Sequence, residues 1–143
     1  MAIIHGARGL IYFAHEFQPK FIEAGMLAYP EMAKGIAGIN AGIRDLAPVV
    51  NSPAIADGAT AGSSSKTTSI DILTKRYNGA TYVFAVAMRD EAVTGSFAIP
   101  GLKGDAKVEA LGESRTISAS DGKWRDEFKG YQVHLYRVGA VAQ

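Results

Sequence analysis

The sequence predicts an α+β fold: an amino-terminal strand–loop–helix segment followed by a small antiparallel β-sandwich. Three observations predict it. Residues 3–13 are almost continuously apolar, and residues 32–50 repeat apolar side chains at helical spacing. From Ser69 onward the chain runs in short β-rich stretches separated by turn pairs.

The first element is a strand. Ile3, Ile4, Leu10, Ile11, Tyr12 and Phe13 surround Gly6 and Gly9 without the alternation of a half-exposed strand. Such runs belong to parallel strands buried on both faces, which need a neighbour on each side. A loop from about Ala14 to Tyr29 follows, mixing His15, Glu16, Phe17, Lys20, Phe21, Glu23 and Tyr29. Pro30 suits the first turn of a helix, where its missing N–H costs nothing. Met32, Ile36, Ile39, Ile43, Leu46 and Val50 are spaced by four, three, four, three and four residues, which sets them on one helix face. Gly35, Gly38 and Gly42 each cost the helix ~1 kcal/mol relative to Ala, so they imply close approach to another backbone. Pro48 ends the regular helix, and Asn51-Ser52-Pro53 closes the segment.

Residues 54–68, with Gly58, Gly62 and Ser63-Ser64-Ser65, read as a flexible linker between a 1–53 segment and a 69–143 β-domain. Strands are expected over Ile70–Tyr77 and Thr81–Met88 about the Asn78-Gly79 turn, then Val93–Ile99 and Ala106–Leu111. Arg115–Ser118, Lys123–Arg125 after the Asp121-Gly122 turn, and Tyr131–Val138 complete the series. Six or seven short strands with regular turns make a small sandwich.

Composition removes several classes of function. The chain has 143 residues, 48% hydrophobic and 20% charged, with 15 basic and 14 acidic side chains for a net charge of +1. The basic residues form no block, so a nucleic-acid footprint is not expected. No apolar run approaches the ~18 residues of a membrane span, and no membrane partner is expected. Without cysteine there is no disulfide framework and no thiolate zinc or redox site. His5, His15 and His134 lack metal-ligand spacing, and Asp121, Asp126 and Glu127 are too few for a calcium loop. The glycines of residues 35–42 are not followed by Gly-Lys-Ser/Thr, and no Gly-x-Ser-x-Gly elbow frames the serines. No cofactor is expected. The amino terminus has no basic n-region, and Arg8 and Glu16 bracket too short a hydrophobic stretch for a signal peptide. The expected localisation is therefore either cytoplasmic or set by a leader on a longer parent.

The order of elements resembles the end of a (β/α)8-barrel glycoside hydrolase. His5-Gly-Ala-Arg-Gly-Leu-Ile-Tyr-Phe13 is similar to an eighth barrel strand, and Ile39-Asn-Ala-Gly-Ile-Arg-Asp-Leu-Ala-Pro-Val-Val-Asn-Ser-Pro53 to the eighth helix and its exit. Tyr77-Asn-Gly-Ala-Thr-Tyr-Val-Phe-Ala-Val86, Ala110-Leu-Gly-Glu-Ser-Arg115, Trp124-Arg-Asp-Glu-Phe128 and Tyr131-Gln-Val-His-Leu-Tyr-Arg137 resemble the appended sandwich. These motifs are architectural. In such enzymes the acid/base and the nucleophile come from the ends of the fourth and seventh strands, upstream of Met1. The resemblance therefore implies a carboxy-terminal piece that lacks the catalytic carboxylate pair and does not hydrolyse a glycoside alone.

The same resemblance nominates substrate-binding residues. Barrel enzymes keep their sites at the carboxyl ends of the strands. There Tyr12 or Phe17 would stack on a sugar ring, while His15 and Glu16 would hydrogen-bond its hydroxyls. Trp124, on a short strand after a turn, would offer a further aromatic platform. The plainer assignments place Tyr12, Phe13 and Trp124 in the core, with His15 and Glu16 solvated and His134 packed against a neighbouring strand. A non-catalytic sandwich binding polysaccharide or a protein partner is the alternative function, with Tyr77, Tyr82, Trp124 and Tyr131 as candidate aromatics. A small independent enzyme using Glu16 and His15 is a third. An unpaired apolar strand invites pairing with another chain. The expected partners are thus carbohydrate, further copies in a homo-oligomer, or an upstream barrel portion.

Overall fold

The computed structural model describes residues 1–139. The chain separates into two compact units. One comprises Arg8–Asn51; the other combines Met1–Ala7 with the chain from Ser52 onward.

The larger unit is built from eight antiparallel strands: β1 (Thr60–Ser63), β2 (Ile70–Tyr77), β3 (Ala80–Ala87), β4 (Val93–Ala98), β5 (Asp105–Ala110), β6 (Arg115–Ser120), β7 (Lys123–Phe128) and β8 (Val133–Val138). Their hydrogen-bonded order is β1-β4-β7-β6-β5-β8-β3-β2. The turn pairs behave as their chemistry requires. Asn78 and Gly79 have φ of 48° and 74°, and Asp121 and Gly122 repeat 48° and 74°. Positive φ at both central residues gives the twist that a two-residue hairpin needs. Through the first turn β2 and β3 pair along their whole length, from Ile70 opposite Ala87 to Tyr77 opposite Ala80.

The second hairpin is different. β6 and β7 share the single pair Ser120 and Lys123 and then part. That parting divides the ladder into two layers, β1-β4-β7 and β6-β5-β8-β3-β2. Inward side chains fill the space between them. Phe97 and Trp124 stack at 5.1 Å, and Tyr136 meets both edge-on at 5.2 and 5.6 Å from the opposite layer. Val83, Val108, Phe128 and Val138 complete the core. Each such burial contributes roughly 1.5–3 kcal/mol. Gly95 permits the layers to approach, since a Cβ there would lie 2.8–2.9 Å from Ile70, Phe128 and Phe97.

The linker expectation is corrected here. Thr60–Ser63 forms edge strand β1, registered on β4 from Thr60 opposite Ala98 to Ser63 opposite Gly95. Small polar residues carry little periodic signal, and it is the pairing with a distant strand that orders them. The following loop is also held: Ser65, Thr67 and Thr68 all direct their hydroxyls to the Glu91 carboxylate.

In the smaller unit, a loop leads through a short 3₁₀ helix (Gly25–Ala28) into α1 (Pro30–Asp45) and the brief α2 (Ala47–Val50). Pro30 opens α1, with Glu31 in its first turn and Arg44 in its last, matching the helix dipole at both ends.

The amino-terminal strand is not formed, which corrects the fold expected from sequence. Met1–Gly6 coils through turns, with the Ala2 carbonyl accepting from His5 at 3.1 Å and from Ala7 at 3.0 Å. Residues 7–13 belong to no strand, and Ile11 is fully exposed. A strand of this type needs two flanking strands, and none is paired with it here. The stripe on α1 is likewise uncovered. No α1 residue is buried, and Met32 and Ile39 are 51% and 54% exposed. Among the described residues, no atom outside the helix lies within 4 Å of where a side chain would begin at Gly35, Gly38 or Gly42.

Candidate functional site

The smaller unit gathers most of the residues nominated from sequence. Glu16 and Ile22 form an isolated antiparallel bridge, their amides and carbonyls exchanging bonds of 3.0 and 2.9 Å. The bridge closes residues 17–21 into a loop that contains a cis Gln18–Pro19 bond. The Met26 amide donates to the Ala14 carbonyl at 3.0 Å, folding the 3₁₀ turn back over the same strand of chain. Gly25 is needed there, because a Cβ would stand 2.6 Å from that of Glu16.

These constraints fix Glu16. The Tyr29 hydroxyl donates to its carboxylate, 3.0 Å from one oxygen and 2.9 Å from the other. That hydrogen bond, with the carboxylate's charge, raises the Tyr29 phenol above its ordinary range. Around the pair, four rings form a circuit: Phe13 to His15 at 5.5 Å, His15 to Phe21 at 5.6 Å, Phe21 to Phe17 at 5.6 Å and Phe17 to Phe13 at 6.0 Å. Phe13, Phe17 and Phe21 are all well exposed. Tyr12 stands apart from the circuit, its hydroxyl donating to Asn40 Oδ1 of α1 at 3.1 Å.

Of the nominated residues, then, His15, Glu16 and Phe17 come together. Phe13, Phe21 and Tyr29 join them as partners that were not nominated from sequence as substrate-binding. Phe21 and Tyr29 were visible as loop aromatics, but the bridge that brings them to Glu16 leaves no local signal. Trp124 is corrected: it is 4% exposed and lies in the sandwich core, stacked on Phe97, where no ligand ring reaches its face. Its indole Nε1 is buried without a hydrogen-bond partner among the described residues.

Exposed rings offer apolar faces, and one oriented carboxylate accepts hydrogen bonds. Glycoside hydrolysis needs two carboxyls spaced across the scissile bond, whereas the partner of Glu16 is a phenol. Among the described residues no group of three or more His, Asp or Glu side chains could hold a metal ion.

A second cluster of charged groups lies at the edge of the sandwich core. Arg115 grips Asp126 through two parallel bonds of 2.9 and 2.6 Å and donates from Nε to Glu113 at 2.8 Å. The Tyr136 hydroxyl donates to Asp126 at 2.7 Å. His134, buried and edge-on to Phe128 at 4.5 Å, presents Nδ1 to the Glu113 carboxylate and Nε2 to the Glu127 carbonyl at 3.0 Å. The Arg115 guanidinium also lies against the ring, 3.3 Å from Nδ1. Burial alone would push the carboxyl of Asp126 up. The bonds from Arg115 and Tyr136 overrule it and leave the group below its ordinary 3.8. Glu113 follows the same pattern, lowered by His134 and Arg115 against its burial. Burial and the hydrogen bond to Asp126 push the Tyr136 phenol far up. Every member is matched to another, so the cluster works as a tie across the layers, from β6 and β8 to β7.

Comparison with known proteins bears on the fold. The sequence matches no protein-family model and no curated protein. Among solved structures, it is similar to an AmyP variant in complex with maltotriose, at a TM-score of 0.58 and 10% identity over 79% of this chain and 22% of that one. It is also similar to an alpha-amylase of Anoxybacillus that represents a new glycosyl hydrolase subclass, at a TM-score of 0.54 and 11% identity over 90% of this chain and 25% of that one. The chain therefore spans about a quarter of the length of these structures. At such identities the likeness is one of fold. The fold is that of a portion of an alpha-amylase chain.

Proposed function

We propose that this chain is the carboxy-terminal part of a carbohydrate-active (β/α)8-barrel glycoside hydrolase, supplying a last strand–helix unit and a sandwich but no catalytic carboxylate pair. One observation carries the reading. The larger unit closes over its own core, while the smaller one leaves its apolar side chains in the open: Ile11, Phe13, Phe17, Phe21, Leu27, Met32 and Ile39 are all exposed. So many exposed apolar side chains in one small unit mark an interaction face. In a complete enzyme, residues 8–51 would pack against the preceding barrel strands and helices. Residues 3–13 would gain the two neighbours that a buried parallel strand requires. The likeness of fold, which extends over a quarter of each amylase chain, supports the same reading.

Within that reading, the ring circuit and Glu16 form a wall of the sugar-binding cleft. His15 and Phe17 contact substrate there, with Tyr29 as a positioning residue for the Glu16 carboxylate. Two experiments test the proposal. The chain incubated by itself with maltotriose, or with aryl glycosides, should release no product; sustained turnover would overturn it. Translation of the genomic DNA upstream of the Met1 codon should show an in-frame barrel carrying its two carboxylates. Its absence would leave the sandwich as a binding module in its own right, which is the second reading.

A further inference from the structure

We propose that the sandwich carries a non-catalytic binding site for a neutral oligosaccharide, in a groove between the end of β1, the loop into β2 and the β7–β8 turn, with Tyr131 as its stacking platform. The site rests on the carbohydrate-active reading above and gives it a second, separate point of contact with glycan.

The turn is the first observation. The Gln132 amide donates to the Lys129 carbonyl at 3.1 Å, making Gly130 and Tyr131 the central residues. Tyr131 has a φ of 57°, and Gly130 lies outside the positive region. Such a turn favours glycine or asparagine at its third position, where a residue with a Cβ is strained. Here the glycine sits one place earlier. Space demands it: a Cβ on Gly130 would fall 2.2 Å from the Asp90 carboxylate and 2.6 Å from its Cα. Tyr131 therefore bears the strain, held in place by its amide, which donates to the Arg89 carbonyl at 3.0 Å. Its side chain is 56% exposed and has no hydrogen bond or ring partner among the described residues. Strained residues held in place tend to mark functional sites.

The groove beside it is the second observation. It is an open groove of ≈ 570 Å³, within the ligand-sized range, and is lined by Ser63, Ser65, Lys66, Ser69, Arg89 and Tyr131 among others. Its floor is preorganised, because the Glu91 carboxylate holds the hydroxyls of Ser65, Thr67 and Thr68. Ser65 Oγ in turn accepts from the amides of Thr67 and Thr68 at 3.1 and 3.2 Å. Unspent groups face outward. Ser63 Oγ accepts from the Ser65 amide at 3.1 Å and keeps its own proton to donate, and the Lys66 ammonium has no partner among the described residues. An exposed ring, the free Ser63 hydroxyl donor and a rigid floor match the alternating apolar faces and hydroxyl edges of a sugar chain. Grooves of similar volume along Thr60, Ser96 and Arg125, and along Lys107, Thr116 and Arg137, have no exposed aromatic among their described residues.

The turn supplies an unusually clean test. Tyr131→Gly deletes the platform while giving the backbone the residue it favours. Calorimetric titration of the full chain with maltoheptaose, cellohexaose and xylohexaose should show binding of at least one. The glycine variant should weaken it about tenfold or more while Tm stays level or rises; Tyr131→Phe should retain it. Tyr131→Asn, which also tolerates positive φ, repeats the test if the glycine variant folds poorly. Undiminished binding in both the Gly and the Asn variants would overturn the site and leave the carbohydrate-active reading standing. A fall in Tm with both would assign Tyr131 a structural role and overturn it as well. Absence of binding to all three sugars, or binding of oligogalacturonate only, would also overturn it. In those cases the upstream-barrel observation decides the wider reading by itself.

Discussion

Asp126→Ala should unfasten the two layers of the sandwich. The wild-type carboxylate receives two hydrogen bonds from Arg115 and one from Tyr136. Removing one partner of a buried ion pair costs about 3–5 kcal/mol, and an orphaned buried hydroxyl about 1–3 kcal/mol. Tyr136 is fully buried and bears its share in full. Arg115 bears less, because its side chain is 35% exposed and keeps Glu113, so water can replace part of what is lost. The net expectation is a loss of about 2–4 kcal/mol for Ala, and roughly half of that for Asn, which retains one acceptor. Urea unfolding followed by fluorescence reads this directly, since Trp124 is the single tryptophan and contacts Tyr136. The acid limb gives a second measure. Asp126 and Glu113 both titrate below their ordinary values in the folded chain. Their stabilisation is fully present above the unfolded-state values near pH 4 and is lost as pH falls through the folded ones. Asp126→Asn should therefore flatten the decline of stability at low pH. A loss below about 0.5 kcal/mol for Asp126→Ala, the scale of an ordinary surface substitution, would refute the tie, as would an unchanged acid limb.

Other perturbations address other parts of the molecule. Glu16→Gln should bring the pKa of the Tyr29 phenol down toward its ordinary range, so that it ionises more readily in a near-ultraviolet titration, since the carboxylate is what raises it. If the chain has any turnover, the same variant asks whether Glu16 contributes to it. Glu91→Gln weakens the bonds that hold Thr68 and Ser65 and that keep the Glu91 carboxyl low; hydrogen exchange at the Thr67 and Thr68 amides should quicken while the rest of the sandwich is unaffected. Gly95→Ala places a methyl against Ile70, Phe97 and Phe128, and such overpacking should cost about 1–3 kcal/mol in urea titrations. The uncovered stripe of α1 predicts that the chain associates with copies of itself at micromolar concentration. Light scattering should show this, and Ile39→Lys should reduce it without lowering Tm; a monomeric wild type would count against the interaction face.

How legible the chain was depends on the range of the interactions involved. Turn chemistry is local, so Asn78-Gly79 and Asp121-Gly122 announced hairpins whose positive φ values the structure carries. The alternation in β4 and β7 is local too, and its inward residues meet in the core. Strand β1 was illegible because its order comes from β4, more than thirty residues away, and not from its own side chains. The site was half legible. His15, Glu16 and Phe17 could be named as types, but Gly25 and Tyr29 reach Glu16 only through the bridge to Ile22.

Trp124 and the first strand show the same limit from opposite sides. An aromatic after a turn serves equally well as a platform or as a core side chain, and the opposing layer, through Tyr136, made it core. An apolar run can describe a strand only if neighbours supply its hydrogen bonds, and residues 7–13 have none from strands among the described residues. The sequence by itself determined where the chain turns and which faces of its strands are apolar, because those properties reside in adjacent residues. Tertiary structure alone decided which apolar residues are covered, which carboxylates are paired and where Tyr131 stands. Burial and pairing belong to groups that meet in space, however far apart they lie along the chain.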